Sequence, residues 1–361
     1  MQIGIVGLPY SGKSTIFSTL LSHRTEIQAG ARQSTEKGIV KVPDSRLDKL
    51  TTMFIPKKQV NATIEYIKVP GLESSEGKSV QGLPAQFLAN TKTVDAIVVV
   101  IRQFENEFYP HPMNRVNPAA DIEFINGEFL LSDLTVVETR FEKLEKLVLK
   151  TQDEKDKREL ALMTNLKEQL EQEKPLRELE FSENELMLMK SFQFITAKPI
   201  LYVVNISEDQ ISKASEIETG LQKYLTPNCA LTSLSAEIEK EISELPEDDA
   251  TVFMDDLGIA EPALNKLIRT SYDLLNLISF FTVGEDECRS WTIRKGTHAQ
   301  KAAGVIHSDL EKGFIRAETV HYDDLVATGS LNACKDKGLL RLEGKDYIVK
   351  DGDILNIRFN V

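Results

Sequence analysis

Gln2-Ile3-Gly4-Ile5-Val6-Gly7-Leu8-Pro9-Tyr10-Ser11-Gly12-Lys13-Ser14 is the stretch that decides the fold. Gln2–Val6 reads as a short apolar strand, and Lys13–Ser22 reads as the helix that follows it. Between them, Gly7 to Ser14 satisfies the spacing G-x-x-x-x-G-K-[ST], and Thr15 follows. The spacing has a physical reason. Glycines let the loop turn successive backbone N–H groups inward onto phosphate oxygens, and the helix that opens there adds its positive end. Lys13 is placed to reach the outer phosphates of a nucleotide, and the Ser14 hydroxyl to sit on Mg2+. Gly7, Tyr10, Ser11, Gly12, Lys13, Ser14 and Thr15 are therefore the candidate phosphate-site residues. Chance produces such a match in roughly one chain in a hundred of this length, and its place between a strand and a helix lowers that further.

Working outward, Ala62–Val69 and Ala96–Ile101 read as further strands, the second apolar on both faces and so central in a sheet. Short apolar runs alternating with helical patterns are the mark of an α/β domain with a mainly parallel sheet. From about Leu131 the pattern changes. Leu134, Val137, Phe141, Leu144 and Leu147 form one helical stripe, and Met163, Leu166 and Leu170 form another beyond the charged stretch Asp153–Glu159. The two predict an antiparallel helical hairpin, which either packs on the parent domain or projects as an arm for a partner. Strand character returns at Pro199–Asn205 and Cys229–Ser233, so the hairpin reads as an insertion. After about Leu277 the chain is β-rich, with strands expected at Glu287–Ile293, Phe314–Val320, Tyr347–Val349 and Ile354–Phe359. The expected division is a nucleotide-binding domain over 1–130 and 196–277, a hairpin over 131–195, and a C-terminal domain over 278–361.

No apolar run approaches the ~18–20 residues of a membrane span, and the N-terminus enters strand-like sequence without a basic leader, which predicts no secretory signal. The three cysteines, Cys229, Cys288 and Cys334, are far apart and odd in number, which suits a reducing cytoplasm and neither a disulfide framework nor a zinc site. A net charge of −13 argues against wrapping free DNA. The charge is uneven: Ile278–Val361 holds 12 Lys and Arg against 13 Asp and Glu, and the rest of the chain 31 against 43. The C-terminal module is thus the part least repelled by a polyanion.

A phosphate loop leaves the base open. GTPases of this class read guanine with Asn-Lys-x-Asp after a late strand, whereas here that strand ends in Asn205-Ile206-Ser207-Glu208. Asn205 retains a paired donor and acceptor for a purine edge. Adenine has no N1–H to offer, so a site without the guanine-reading aspartate loses little with it. Taken with Ser290-Trp291-Thr292-Ile293-Arg294-Lys295-Gly296, Glu311-Lys312-Gly313-Phe314-Ile315-Arg316-Ala317-Glu318 and Glu343-Gly344-Lys345-Asp346-Tyr347-Ile348-Val349, these motifs make the chain resemble the YchF/Obg-like ATPases over nearly its whole length. The resemblance implies a Ras-like P-loop G domain with an inserted helical hairpin and a C-terminal β-grasp-like TGS domain. It also implies ATP preference with slow hydrolysis, Mg2+, a cytoplasmic location, and association with ribosomes and their RNA. Ser235-Ala236 matches the loop that closes over the base in that family, which assigns Asn205, Ile206, Glu208, Ser235 and Ala236 to the base site. No membrane, no sequence-specific DNA and a monomer are the remaining expectations.

The chain departs from the family around the metal. The family carries Asp-x-x-Gly before switch II; here Gly71 is in place but Lys68 stands where the aspartate belongs. A lysine there weakens Mg2+ binding or substitutes for it by neutralising phosphate charge. In switch I the family's metal-binding threonine aligns with Arg32, and a gap brings Ser34 or Thr35 to that place instead. Leu72 cannot orient water, and the family uses a loop histidine, matched here by His111 between Pro110 and Pro112. The catalytic candidates are therefore Lys13 and His111, and the metal candidate is Ser14. Three readings stand at this point: a slow ATPase, a nucleotide-binding regulatory module without turnover, and a GTPase.

Overall fold

The computed structural model describes residues 1–22, 36–70 and 82–360. In chain order its strands are β1 (Gln2–Gly7), β2 (Glu36–Lys41), β3 (Lys58–Val60), β4 (Thr63–Lys68), β5 (Ala96–Arg102) and β6 (Ile200–Asn205). They continue with β7 (Cys229–Leu234), β8 (Leu277–Thr282), β9 (Glu287–Arg294), β10 (Phe314–His321), β11 (Arg341–Glu343) and β12 (Asp353–Phe359). The chain divides into two compact units, Met1–Gly38 with Glu65–Leu267, and Ile39–Ile64 with Ile268–Val361.

The first unit is built on a six-stranded sheet of order β2-β4-β1-β5-β6-β7, in which β4, β1, β5, β6 and β7 run parallel. Every residue of β5 and β6 is buried, as expected of strands covered on both faces. Helix α1 (Lys13–Ser22) follows β1 directly, as the sequence predicts. Because the sheet is parallel, the carboxyl ends of its strands lie at one edge, where α/β folds place their ligands.

Helix α2 (Ser45–Phe54) belongs to the second unit, and α3 (Ala85–Lys92) precedes β5. Helix α4 is longer than the sequence reading, running Pro118–Thr151 without a break. Asn117 caps it, accepting from the Ala120 N–H at 3.1 Å, and Pro118 suits its first position. Its two halves bury their apolar faces in different places. Ile122, Ile125 and Phe129 pack with β5 and β6, while Val137 and Leu144 pack with Leu162, Met163, Leu166 and Leu170 of α5 (Glu154–Glu171). The first half of this one helix packs on the sheet, and the second forms a core with α5. Arg140 clamps the pair through both Glu159 carboxylate oxygens, at 2.6 and 2.8 Å. Leu147, expected on the stripe, is 38% exposed near the tip.

In the second unit a mixed sheet has the order β11-β10-β12-β8-β9-β3. Strand β3 pairs in parallel with β9, and Leu47 and Leu50 of α2 join Phe281, Val320 and Ile354 in its core. Residues 39–64 are therefore structurally part of the unit that holds the C-terminus. Tyr347–Val349 is not the strand that the sequence suggests; it makes one bridge, His298 to Ile348. Side chains lock this segment in place of a ladder: the Tyr347 hydroxyl donates to Asp353 Oδ2 at 2.8 Å, and so does the Lys350 N–H.

Asp133 of α4, fully buried, accepts from the N–H groups of Ile195 at 3.1 Å and Thr196 at 2.7 Å and from the Thr196 hydroxyl at 2.7 Å. It ties the hairpin to the segment that leads back into β6. Burial pushes its carboxyl above the ordinary value, against the pull of those three donors. Asp133→Ala strands the buried donors and should cost about 3 kcal/mol, read as a lower urea midpoint for helix unfolding; an unchanged midpoint would remove the tether from this account.

Candidate nucleotide site

Five strand ends converge at one edge of the first sheet. Gly7 ends β1, Lys68 ends β4, Arg102 ends β5, Asn205 ends β6, and Ser235 follows β7. Pairing sets Arg102 level with Asn205 and Asn205 level with Leu234, so these ends stand in one row. They border a cavity of about 890 Å³ whose walls include Tyr10, Ser11, Gly12, Lys13, Ser14 and Thr15.

The loop is built as its motif requires. A Cβ at Gly7 would collide with the Val100 carbonyl, and one at Gly12 (φ +96°) with the Asn205 amide nitrogen. Tyr10 adopts the left-handed conformation (φ 59°) and sets its ring 5.3 Å from that of Tyr109. The Ser11 hydroxyl is buried without a partner among the described residues, free to donate to a phosphate oxygen. Lys13 Nζ donates to the Leu8 carbonyl at 2.7 Å. Burial, and then the nearby charge of Lys68, pull the Lys13 ammonium down to about 8.

Asn205 is 3% exposed, and both ends of its amide are used: Nδ2 donates to the Ser11 carbonyl at 3.0 Å, and Oδ1 accepts from the Ala236 N–H at 3.0 Å. These atoms join the phosphate loop to the loop after β7, where the sequence reading gave them to a purine edge. Ile206 and Ala236 line the cavity, as expected. Glu208 does not; it is exposed, and Ser207 takes the wall position instead. Ser235 lies behind the wall, its hydroxyl capping the helix Ala236–Glu244 at the Ile238 N–H. Gly7 likewise serves the loop's path and is not part of the wall.

The loop after β5 supplies a wall that the sequence reading missed, made of Phe104, Glu105, Asn106 and Tyr109. Buried Arg102 shapes it by donating to the carbonyls of Phe104 at 2.8 Å and Tyr109 at 2.7 Å. The clustered aromatics around His111 were the available signal. His111 itself is not part of the cavity wall. It is 5% exposed, its Nδ1 accepts from the Met113 N–H at 3.2 Å, and its Nε2 meets Asp121 Oδ2 at 2.9 Å. With Nδ1 accepting, Nε2 is the nitrogen that carries the proton. As placed, His111 orients no water in the cavity.

On the β4 side, Lys68 and Glu36 line the cavity and pair with each other at 2.6 Å. Arg32, Ser34, Thr35, Gly71 and Leu72, the switch positions weighed in the sequence, lie outside the described residues. Ser14 opens onto the cavity as a Mg2+ ligand should, but the place of its partner carboxylate is held by the Lys68 ammonium. No group of three or more metal-binding side chains occurs among the described residues. On the β4 side the carboxylate among the described residues, Glu36, is paired with Lys68, so the described donors there do not offer Mg2+ the free carboxylate that it takes beside phosphates.

A family model described as a 50S ribosome-binding GTPase matches residues 2–232, and a model for the C-terminal part of YchF GTPases, described as a protein of unknown function, matches residues 277–360. The ribosome-binding ATPase YchF of Bacillus subtilis is 43% identical, with the whole of each chain covered. That of Escherichia coli O157:H7 is 39% identical over 100% of this chain and 99% of its own. The chain belongs to the YchF family. The structure of the Schizosaccharomyces pombe YchF GTPase agrees, with 34% identity, a TM-score of 0.87, and coverage of 99% of this chain and 97% of that one. A GTP-binding protein from Pyrococcus horikoshii shares the fold at 17% identity and a TM-score of 0.63. The first unit of this YchF protein is thus a Ras-like P-loop domain, and its second contains the YchF C-terminal domain. Among the described residues no helix is long and apolar enough to cross a membrane.

Gly12 is the tightest point of the site. In Gly12→Ala the new methyl displaces the Asn205 amide and strains a left-handed φ, so nucleotide affinity should fall by about tenfold or more while far-UV circular dichroism stays native. Native affinity in this variant would show that the Asn205 bridge is dispensable for the site.

Proposed function

We propose that this chain is an ATP-binding P-loop ATPase of slow turnover that works on ribosomes. What carries the reading is one cavity that joins the P-loop lysine to a base end without the guanine-reading aspartate: Ile206 and Ser207 line it, and Glu208 stays outside. The relatives named ribosome-binding ATPases support it, although the family-model description and the fission-yeast relative's name say GTPase. Gly7, Tyr10, Ser11, Gly12, Lys13, Ser14 and Thr15 hold the phosphates, Lys13 also acting in catalysis. Ile206 and Ala236 border adenine, Asn205 and Ser235 support the loops beneath it, and Glu208 has at most an outer role. His111 assists hydrolysis only after leaving Asp121. Residues 1–38, 65–130 and 196–267 form the nucleotide domain, 131–195 the arm, and the unit of residues 39–64 and 268–361 carries over 278–361 a β-grasp-like TGS module that meets the ribosome or its RNA. The protein is cytoplasmic and monomeric. The second reading, a nucleotide-binding module without turnover, is favoured by Lys68 and by the buried His111.

Calorimetry on the intact chain should give ATP affinity at least about tenfold tighter than GTP, the cost of a purine edge left unpaired. Tighter GTP would overturn the base assignment. Single-turnover hydrolysis separates the ATPase from the module, and cosedimentation with ribosomes tests the partner.

The pH response follows from Lys13. A bound polyphosphate raises its pKa, so the complex holds more protons than the free protein above pH 8. Affinity is therefore full below about 8 and is lost as pH rises through it. Between pH 7 and 9 the loss should approach about tenfold, with proton uptake visible in buffers of different ionisation enthalpy. A flat profile would place Lys13 away from the phosphates.

A further inference from the structure

The β4 edge of the cavity carries an ammonium where this fold keeps a carboxylate. Lys68 ends β4, its Nζ 2.6 Å from Glu36 Oε1 and 5.9 Å from the centre of the Phe17 ring of α1. Lys13, Ser14, Lys68 and Glu36 all line the same cavity. We propose that Lys68 is the resident cation of the phosphate site, neutralising polyphosphate in the place of Mg2+, with Glu36 as the anion that holds it in the free protein. This rests on the nucleotide-binding reading above and concerns the same site.

Three physical points support it. Mg2+ in P-loop sites needs one or two carboxylates beside the phosphates, and an ammonium at that position repels the metal. Glu36, the carboxylate on this side among the described residues, is paired with Lys68 in the free protein. The pair is also easily exchanged: its side chains are 23% and 60% exposed, and half-exposed pairs of this kind are weak. A triphosphate brings several negative charges against the single one of Glu36, so transfer of Lys68 from carboxylate to phosphate is favourable. Finally, Lys13 and Lys68 border the same cavity, and a polyanion between two ammonium groups relieves their mutual repulsion. Glu105 and Glu237 also border the cavity, from the segments after β5 and β7, with Lys240 near the latter. Among the described residues they leave the β4 side to Lys68 and Glu36.

Calorimetry of ATP binding to the intact chain, in millimolar Mg2+ and in excess EDTA, tests the proposal. The wild-type dissociation constants should agree within about threefold. Lys68→Met should weaken binding in EDTA by about tenfold or more, the worth of a charge-assisted contact. Lys68→Asp should make binding depend on Mg2+. Glu36→Gln, which frees Lys68 at an exposed position, should tighten binding in EDTA, and thermal melts check that each variant folds. Wild-type binding that collapses in EDTA overturns the proposal, as does Lys68→Met binding like wild type. Inorganic tripolyphosphate separates this from the ATP reading. If it binds without Mg2+ and needs Lys68 while ATP does not bind, the ATP reading fails and the cation assignment stands. If neither binds, both fail.

Discussion

The Asn205 side chain bridges two loops that are far apart in sequence, donating to the Ser11 carbonyl and accepting from the Ala236 N–H. An amide can do this because it offers a donor and an acceptor about a carbon's width apart. At 3% exposure neither bond has water as a ready substitute, so breaking one strands a buried group. The bridge depends in turn on the sheet. β6 is held between β5 and β7 in a register that sets Asn205 beside Arg102 on one side and Leu234 on the other. That register is secured by continuous burial of Ile-Leu-Tyr-Val-Val against Ala-Ile-Val-Val-Val-Ile. The hydrophobic effect thus places the strand ends, Gly12 leaves room for the amide, and the amide brings the phosphate loop and the base loop into one cavity wall.

What could be read in the sequence, and what could not, follows from the range of the forces involved. The P-loop was legible because its geometry is local: glycine, lysine and serine act within one turn of chain, and α1 begins at Lys13 as expected. The buried strands were legible because two covered faces demand an unbroken apolar run. The length of α4 was not, since its apolar face changes partner near Phe129 and Leu130 without any break in the backbone. Residues 39–64 looked like a continuation of the first domain because β3 and α2 take their place only by pairing with β9 and packing on Phe281. At the site, Asn205 and His111 carried the right chemistry for direct roles. Their bonding to Ser11, Ala236 and Asp121 is set by tertiary approach, which no spacing encodes.

Charge is organised differently from side to side of the cavity. Among the described residues, Lys13, Lys68 and Lys240 bring three ammoniums to it, against Glu36, Glu105 and Glu237. The wall is therefore close to balanced although the whole chain carries −13. A polyanion entering such a site is drawn by the local arrangement, with the loop N–H groups and the α1 terminus adding to the lysines, and not by the overall field. The general acidity of the chain has its effect elsewhere, in resisting non-specific contact with nucleic acid, and the nearly neutral C-terminal stretch contributes least to it.

Binding and turnover make separate demands on this cavity. Groups that stabilise the ground state of a polyphosphate about as well as its transition state bind it uniformly, and uniform binding of that kind does not raise the rate of the chemical step. Acceleration requires groups that act on the attacking water and on the charge that develops at the γ-phosphate. His111 would have to give up Asp121 and its buried seat to serve the water, and a single ammonium supplies less charge than a divalent metal. Both differences act on kcat and leave affinity largely intact.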